Sequence, residues 1–257
     1  MYYIQSQKST WNSHFSRHSP CATVGLCVES ANIVGYITPE VKENVALGIN
    51  AFTPVTGTTT DMQSIKVSGE GLAGGDVQIQ TLTAGGATDR TFFWIPTSEV
   101  GDYEMEAEGW FDADNWVEAS KTLSDGEGFV TMSSVEGAKI TYSGAVADGA
   151  TQFEIPSNVG VAGNATPVDI DIQSMVVIAD GIAGGDVQIQ TLTAGGATDR
   201  TFFWIPASEA GDYEMDGEGW FDADNWVVAT DVTFAAGEGF VTMSGVEGAQ
   251  IKLPSAL

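Results

Sequence analysis

Histidine and cysteine, the residue types on which many catalytic and metal sites depend, are missing from most of this chain. Neither occurs beyond residue 27, and both cysteines, Cys21 and Cys27, lie among the first 30 residues. Serine–histidine and cysteine–histidine catalysis is therefore excluded from the rest of the chain. Phosphate-binding loops, nucleophile elbows and zinc-protease motifs are also missing. The sequence predicts a protein that is not an enzyme, with a carboxylate pair for glycoside hydrolysis as the one catalytic alternative.

Basic residues are scarce as well. Residues 1–30 hold two of the nine lysines and arginines and one of the 35 aspartates and glutamates, so residues 31–257 hold seven basic residues against 34 acidic ones. Such a surface repels phosphate backbones and anionic membranes, so we expect no nucleic-acid partner. No apolar run approaches the roughly 20 residues of a membrane-spanning helix, and we expect no membrane span. The acidic surface is either solubilising or a source of cation sites.

Residues 1–30 are predicted to be a leader or a disordered tail. Lys8 and Arg17 precede the apolar stretch CATVGLCV (21–28) and the small pair Ser30-Ala31, which is the order of a secretory signal. The apolar stretch is short and the segment before it is long and polar, so a plain tail is the alternative. A secretory leader predicts an extracellular or cell-surface protein.

The rest of the sequence consists of two similar copies. The 24-residue string AGGDVQIQTLTAGGATDRTFFWIP occupies 73–96 and returns unchanged at 183–206, an offset of 110 residues. One residue is then inserted in the second copy, since GEGFVTMSSVEGAKI (126–140) matches GEGFVTMSGVEGAQI (237–251) at an offset of 111. A period this long corresponds to a whole domain rather than to a solenoid repeat. We predict domains at 31–141 and 142–257, either packed together or only stiffly hinged, because no long linker separates them.

Strand signals dominate both copies, and helical periodicity is nearly absent. VQIQTLTA (77–84) alternates apolar and polar residues, and RTFFWIP (90–96) is typical of a more buried strand. MQSIKV (62–67) is predicted to be a further strand, and GFVTM (128–132) and AKITY (138–142) are predicted to form a hairpin turning at Gly137. Short strands punctuated by glycine and proline favour an all-β fold of two tandem β-sandwich domains, jelly-roll or immunoglobulin-like.

The sequence also resembles a known group of repeats. GVAGNATPVDID (160–171), a strand, and then AGEGFVTMSG (236–245) resemble uncharacterised β-sandwich repeats of secreted and cell-surface bacterial proteins, and residues 29–52 resemble the start of mature chains in that group. The present chain has GNATPV where those repeats have a proline-rich turn. The resemblance implies secretion and a non-catalytic module, and it supplies no ligand or catalytic residues.

Tryptophans offer the first candidate site. Trp110 and Trp116, with their equivalents Trp220 and Trp226, flank a polar turn, where exposed indoles would stack on sugar rings and neighbouring polar groups would bind hydroxyls. The alternative places them at the edge of the core. Trp94, inside an apolar strand, is expected to be a core residue.

The polar turn itself is the second candidate. FDADNW recurs at 111–116 and 221–226 and offers closely spaced oxygen ligands for calcium, namely Asp112, Asp114, Asn115, Asp222, Asp224 and Asn225. The EF-hand pattern is not met, because Val117 and Leu123 stand at the positions of its glycine and glutamate. The alternative is an Asx turn between strands. We therefore expect no cofactor other than calcium.

These observations favour a non-enzymatic structural or adhesive protein of the cell surface. Its partners would be other protein chains, including copies of itself paired through edge strands or the apolar segment 32–36, or surface polysaccharide. The alternative is a carbohydrate-binding module that uses the paired Trp and Asp surface sites. Arg90 and Arg200, the sole arginine of each copy, are expected to form structural ion pairs rather than ligand contacts.

Overall fold

Strands account for the regular structure, as expected of an all-β chain. A computed structural model describes residues 36–37, 45, 48–55, 59–124, 126–142, 144–145 and 151–255. The strands of the first copy are β1 (Tyr36–Ile37), β2 (Gly48–Phe52), β3 (Thr60–Asp61), β4 (Lys66–Ser68), β5 (Val77–Leu82), β6 (Thr88–Ile95), β7 (Gly109–Asp112), β8 (Val117–Glu118), β9 (Thr122–Leu123), β10 (Phe129–Ser133) and β11 (Lys139–Thr141). The strands of the second copy are β12 (Gly144–Ala145), β13 (Gln152–Glu154), β14 (Asn158–Gly163), β15 (Ile170–Asp171), β16 (Val176–Ile178), β17 (Val187–Leu192), β18 (Thr198–Ile205), β19 (Gly219–Asp222), β20 (Val227–Val228), β21 (Thr233–Phe234), β22 (Gly239–Ser244) and β23 (Gln250–Lys252). The helical segments within these ranges are three 3-10 turns, Met62–Ser64, Ile172–Ser174 and Ala210–Tyr213, and none of them could reach across a bilayer.

The main sheet has the same topology in both copies. The first forms a six-stranded antiparallel sheet in the order β2-β10-β5-β6-β7-β8, and the second forms its equivalent, β14-β22-β17-β18-β19-β20. Smaller antiparallel sheets accompany them, namely β1-β12, β11-β4, β3-β9, β13-β23-β16 and β15-β21. The prediction of an all-β fold is confirmed.

Each six-stranded sheet is centred on the hairpin that the identical string predicts. Along β5 the side chains of Val77 and Ile79 are buried while the glutamines between them are partly exposed, which confirms the alternation. In β6, Phe92 and Trp94 point to the same apolar interior, so the prediction of a core Trp94 is also confirmed. The GGATD segment turns the chain between these two strands.

Two predicted elements are wrong. Strands β10 and β11 do not form a hairpin, because β10 pairs with β2 and β5 whereas β11 pairs with β4 in another sheet. Gly137 does turn the chain, at a φ of 78°, but the turn carries it from one sheet to another. The start of MQSIKV is a 3-10 turn rather than a strand, because the side chain of Asp61 accepts the N–H of Gln63 and caps it.

Each copy has its own apolar interior. The cluster of the second copy contains residues of that copy alone, including Phe202, Trp204 and Trp220. The cluster of the first copy is equivalent, with one contribution, Ala236, from the second. Val34–Leu257 nevertheless form a single compact unit that contains both copies.

Paired contacts join the two copies. The N–H of Ile49 donates to the carbonyl of Ala194 at 2.8 Å, and the equivalent N–H of Val159 donates to the carbonyl of Ala84 at 2.9 Å. The bridge between Phe52 and Glu238 likewise has its equivalent between Ala162 and Glu127. This reciprocity is the pattern of a two-fold symmetric dimer. The copies are thus packed against each other, which is the first of the two predicted arrangements.

Some predictions concern residues that the structure does not describe. The leader or tail at 1–30, with its two cysteines, lies outside the described residues, as does most of the apolar segment 32–36. Its last residue, Tyr36, belongs to β1 and pairs with Ala145 of the same chain.

Candidate binding site

The same short hairpin ends each six-stranded sheet. Strands β7 and β8 pair through Phe111 with Glu118 and Asp112 with Val117, and β19 and β20 do the same in the second copy. The N–H of Trp116 donates to the carbonyl of Asp112 at 2.9 Å, as does that of Trp226 to Asp222. We call the loops 112–117 and 222–227 the hairpin tips.

An Asx turn shapes each tip. Oδ1 of Asp112 accepts the N–H groups of Asp114 and Asn115, both at 3.1 Å, and Oδ2 accepts the side-chain amide of Asn115 at 2.9 Å. The three equivalent bonds to Asp222 measure 2.9, 2.9 and 2.8 Å. Asp114 and Asp224 tie each tip to the neighbouring strand by accepting the N–H of Thr91 and Thr201, at 2.7 and 2.6 Å. The Asx-turn interpretation of FDADNW is confirmed.

An arginine clamps the base of each tip. Arg90 forms an ion pair with the buried Asp112, and Arg200 forms one with the buried Asp222. Each guanidinium also lies over a phenylalanine of its own strand, 5.3 Å from the ring of Phe92 in the first copy. The prediction of structural ion pairs is confirmed, although the partner is the motif aspartate.

The clamp holds Asp222 ionised. Burial alone would raise the pKa of this carboxyl, but hydrogen bonds from Arg200 and Asn225 together with the guanidinium charge outweigh burial and lower the pKa below its ordinary value. The carboxylate therefore works as a fixed acceptor within the tip.

The proposed calcium ligands of each tip are hydrogen-bonded to one another and to the neighbouring strand. Both oxygens of Asp112 and both of Asp222 already accept hydrogen bonds or ion pairs within the tip. Within the described ranges, no three or more histidine, cysteine, aspartate or glutamate side chains are grouped as a metal site requires. The geometry accounts for these residues as turn-forming groups, and calcium binding stays a prediction.

Trp110 and Trp220 are core residues, which corrects their assignment to a binding surface. Both are fully buried, and their indole N–H groups donate to the carbonyls of Ile65 and Met175 at 2.8 and 2.9 Å. Each lies edge-on to the tryptophan of the adjacent strand, Trp94 or Trp204, with 5.5 Å between ring centroids. A buried indole cannot stack on a sugar, so the predicted two-tryptophan platform does not form.

Trp116 and Trp226 are exposed at the tips, with 78% and 74% of their surface accessible. The edge of each ring meets a buried phenylalanine, Phe111 or Phe221, at centroid distances of 6.1 and 5.9 Å. A half-exposed valine, Val117 or Val227, follows each of them. Each tip thus presents one anchored indole and one valine to solvent.

Both exposed tryptophans have a strained backbone. Trp116 has a φ of 57° and Trp226 a φ of 56°, in the left-handed region that bulky residues rarely occupy. This conformation follows from the Asx turn, which reverses the chain within four residues.

Two further groups have roles that the sequence patterns did not single out. Gln63 bridges two strands, since its amide donates to the carbonyls of Trp110 and Ala119 at 2.7 and 3.0 Å and its oxygen accepts the N–H of Trp110 at 3.0 Å. Gln173 repeats these contacts in the second copy. A glutamine at the same place in both copies, directly after a buried apolar residue, was the available signal.

A set of charged residues in the second copy, which the sequence patterns also did not single out, lines a cleft of about 260 Å³. Its charged lining residues are Asp199, Arg200, Asp231 and Glu238. Asp231 stands where the offset between copies changes from 110 to 111 residues, so the inserted residue itself marked the position.

Comparison of the chain with protein-family models, curated proteins and solved structures finds no match.

Proposed function

We propose that this protein is a non-enzymatic adhesive module of the cell surface, built as two tandem β-sandwich domains at 31–141 and 142–257. The observation that carries the proposal is the exposed tryptophan at each of two equivalent hairpin tips. An accessible indole supplies a large contact area at small conformational cost, which is why tryptophan is enriched at the centres of protein interfaces.

The construction of the tips supports a binding role. A left-handed backbone is unfavourable for tryptophan, and an exposed indole gains little from the fold in return. Glycine or asparagine would satisfy the same turn at lower cost. A bulky aromatic residue at this position in both copies is therefore better explained by contact with a partner than by stability.

Two equal contact points also favour adhesion over catalysis. Once one tip has attached, the second is held near the same surface, and effective concentration strengthens the attachment by about 10²- to 10⁴-fold when both can engage. The acidic groups at the tips are engaged in turn and clamp bonds, which suits a fixed scaffold. Secretion is supported by the order of residues 1–31 and by the resemblance to repeats of secreted proteins.

The leading partner is another protein chain, including a second copy. The test compares the wild type with Trp116→Ala, Trp226→Ala and the double variant by light scattering over a range of concentrations. We expect concentration-dependent association that weakens in each single variant and is lost in the double variant. A strict monomer at high concentration, with no difference among the four proteins, would refute self-association.

Surface polysaccharide is the second candidate, favoured by the exposed Asp114 and Asn115 beside the indole at each tip. Gel electrophoresis through immobilised polysaccharides tests it directly. Retardation of the wild type that disappears in the double tryptophan variant supports this candidate. Equal mobility in every polysaccharide removes it. Mass spectrometry of the protein from its native source tests secretion, because a cleaved leader would shift the N-terminus to near residue 31.

A further inference from the structure

The two copies differ around one partly buried glutamate, Glu127 in the first and Glu238 in the second. In the first copy, Oε1 of Glu127 pairs with the ammonium of Lys121 at 2.9 Å, and Oε2 accepts the N–H of Ser124. In the second copy, Oε2 of Glu238 accepts the N–H of Ala235. Both of these hydrogen bonds measure 2.8 Å, so the two carboxylates bind their loops in the same way.

The second copy has no lysine at the position equivalent to Lys121. The carbonyl of Lys121 accepts the N–H of Met62, and the carbonyl of Val232 accepts the equivalent N–H of Ile172, which identifies Val232 as the counterpart of the lysine. Glu238 takes part in none of the ion pairs found among the described residues. The second copy has thus kept the carboxylate and lost its ammonium.

A cleft occupies this region of the second copy. It is lined by apolar side chains that include Leu192 and Val232, and by three carboxylates and one guanidinium. The guanidinium, Arg200, is already bound to Asp222 and approaches Asp231 at 3.3 Å. Burial raises the pKa of Glu238, the N–H of Ala235 opposes this, and the charge of Asp169 adds to it. The carboxylate is therefore short of positive charge.

We propose that this cleft binds a primary alkylammonium group of the lysine side-chain type, with its ammonium on Glu238 and its methylene chain against Leu192 and Val232. The first copy provides the precedent, because its own Lys121 places such a group on the equivalent carboxylate. The net charge of −26 draws cations toward the protein. The proposed contacts Glu238, Leu192 and Val232 lie outside the hairpin tips, and the proposal does not depend on the adhesive function.

The binding test uses Nα-acetyl-lysine N-methylamide as the probe and the full chain labelled with ¹⁵N. We expect saturable shifts of the amide signals of Val232 and Glu238, with a dissociation constant near 1 mM, as suits a single ion pair partly open to solvent. The Nε-acetylated form of the probe keeps the shape and removes the charge, and it should cause no saturable shift. Equal shifts with both forms would overturn the proposal.

Three variants localise the interaction. Glu238→Gln keeps the acceptor for Ala235 and removes the charge, and should weaken binding by about tenfold or more. Glu127→Gln, the matched change in the first copy, should leave binding unchanged. Val232→Lys should fill the cleft with an internal ammonium and abolish binding; if it fails to fold, the two glutamate variants still decide. Equal binding by wild type and Glu238→Gln would refute the site.

A second probe identifies the source of the group. n-Butylammonium presents the same ammonium and methylene chain without a peptide backbone. Tighter binding of the lysine amide supports a lysine side chain of a protein partner as the natural ligand, and equal binding supports a free alkylamine. Absence of saturable shifts with both probes at 50-fold the expected dissociation constant would overturn the proposal.

Discussion

Trp116 provides a test of whether the tips sacrifice stability to display an indole. Replacement by alanine and by glycine removes the same ring and the same edge contact with Phe111, a contact worth about 0.5–1.5 kcal/mol. The two variants differ in how readily residue 116 adopts its backbone conformation, which has a φ of 57°. A left-handed conformation costs a residue with a Cβ about 1–2 kcal/mol, whereas glycine adopts it freely.

The expected difference follows from two opposing terms. Glycine avoids the left-handed penalty but loses about 0.5–1 kcal/mol more conformational freedom on folding than alanine does. Trp116→Gly is therefore expected to unfold with a free energy roughly 0.5–1 kcal/mol higher than that of Trp116→Ala. With the matched changes at Trp226, the difference should be about twice as large, since the two tips are distant in sequence and form separate contacts.

Urea denaturation followed by circular dichroism measures this difference, and the slope of the transition shows whether unfolding stays comparable between variants. Val117 supplies the control, because it lies in the adjoining strand with ordinary backbone geometry and is similarly exposed. There the order should reverse, with Val117→Ala more stable than Val117→Gly. An alanine variant at 116 as stable as the glycine variant, or more stable, would refute the claim of backbone strain at the tip.

Three further predictions concern charge and packing. Asp222→Asn should lower the free energy of unfolding by about 3 kcal/mol near neutral pH. Because the folded protein lowers the pKa of Asp222, the wild type should lose this extra stability as the pH falls below the ordinary pKa of 3.8, and denaturation at a series of pH values measures the loss. Glu238→Gln should be more stable than wild type at neutral pH. Because the folded protein raises the pKa of Glu238 above its ordinary value of 4.5, the wild type should become less stable relative to the variant as the pH rises above 4.5, and the difference should vanish when denaturation is measured in acid. Gly239→Ala should lower the melting temperature, because its Cβ would lie 2.3 Å from the backbone nitrogen of Phe52, whereas Gly217→Ala, with open space around it, should not.

Much of the sheet could be predicted from sequence because its signals are local. The alternation in β5 and the apolar run in β6 each depend on neighbouring residues, and both strands form where the pattern places them. Which strands pair is not a local property. GFVTM and AKITY look like a hairpin along the chain, yet they belong to different sheets because β10 inserts between β2 and β5.

The site shows the same division. The FDADNW motif predicts an Asx turn through short-range hydrogen bonds, and that turn forms. The fate of the tryptophans depends on long-range packing. Trp110 and Trp116 flank the same turn and are chemically alike, but β7 directs Trp110 into the interior while the left-handed residue at the end of the turn directs Trp116 outward. The partner of Arg90 could not be predicted from the sequence either, because Asp112 is 22 residues away along the chain and contacts Arg90 only across the sheet.

The contacts between the copies tolerate some divergence in sequence. Gly86 and Gly196 lie against Val159 and Ile49 in reciprocal fashion, and an added Cβ at Gly196 would reach within 2.6 Å of Ile49. Ile49 and Val159, and likewise Phe52 and Ala162, occupy equivalent places in these contacts although they differ, whereas the glycines that face the first pair are the same in both copies. Lys121 and Val232 immediately precede the equivalent strands β9 and β21, and Lys121 forms its ion pair with Glu127 of its own copy. The difference between Lys121 and Val232 gives one copy an ammonium that the other lacks, and the cleft around Glu238 is thus a place where two nearly identical domains differ in chemistry.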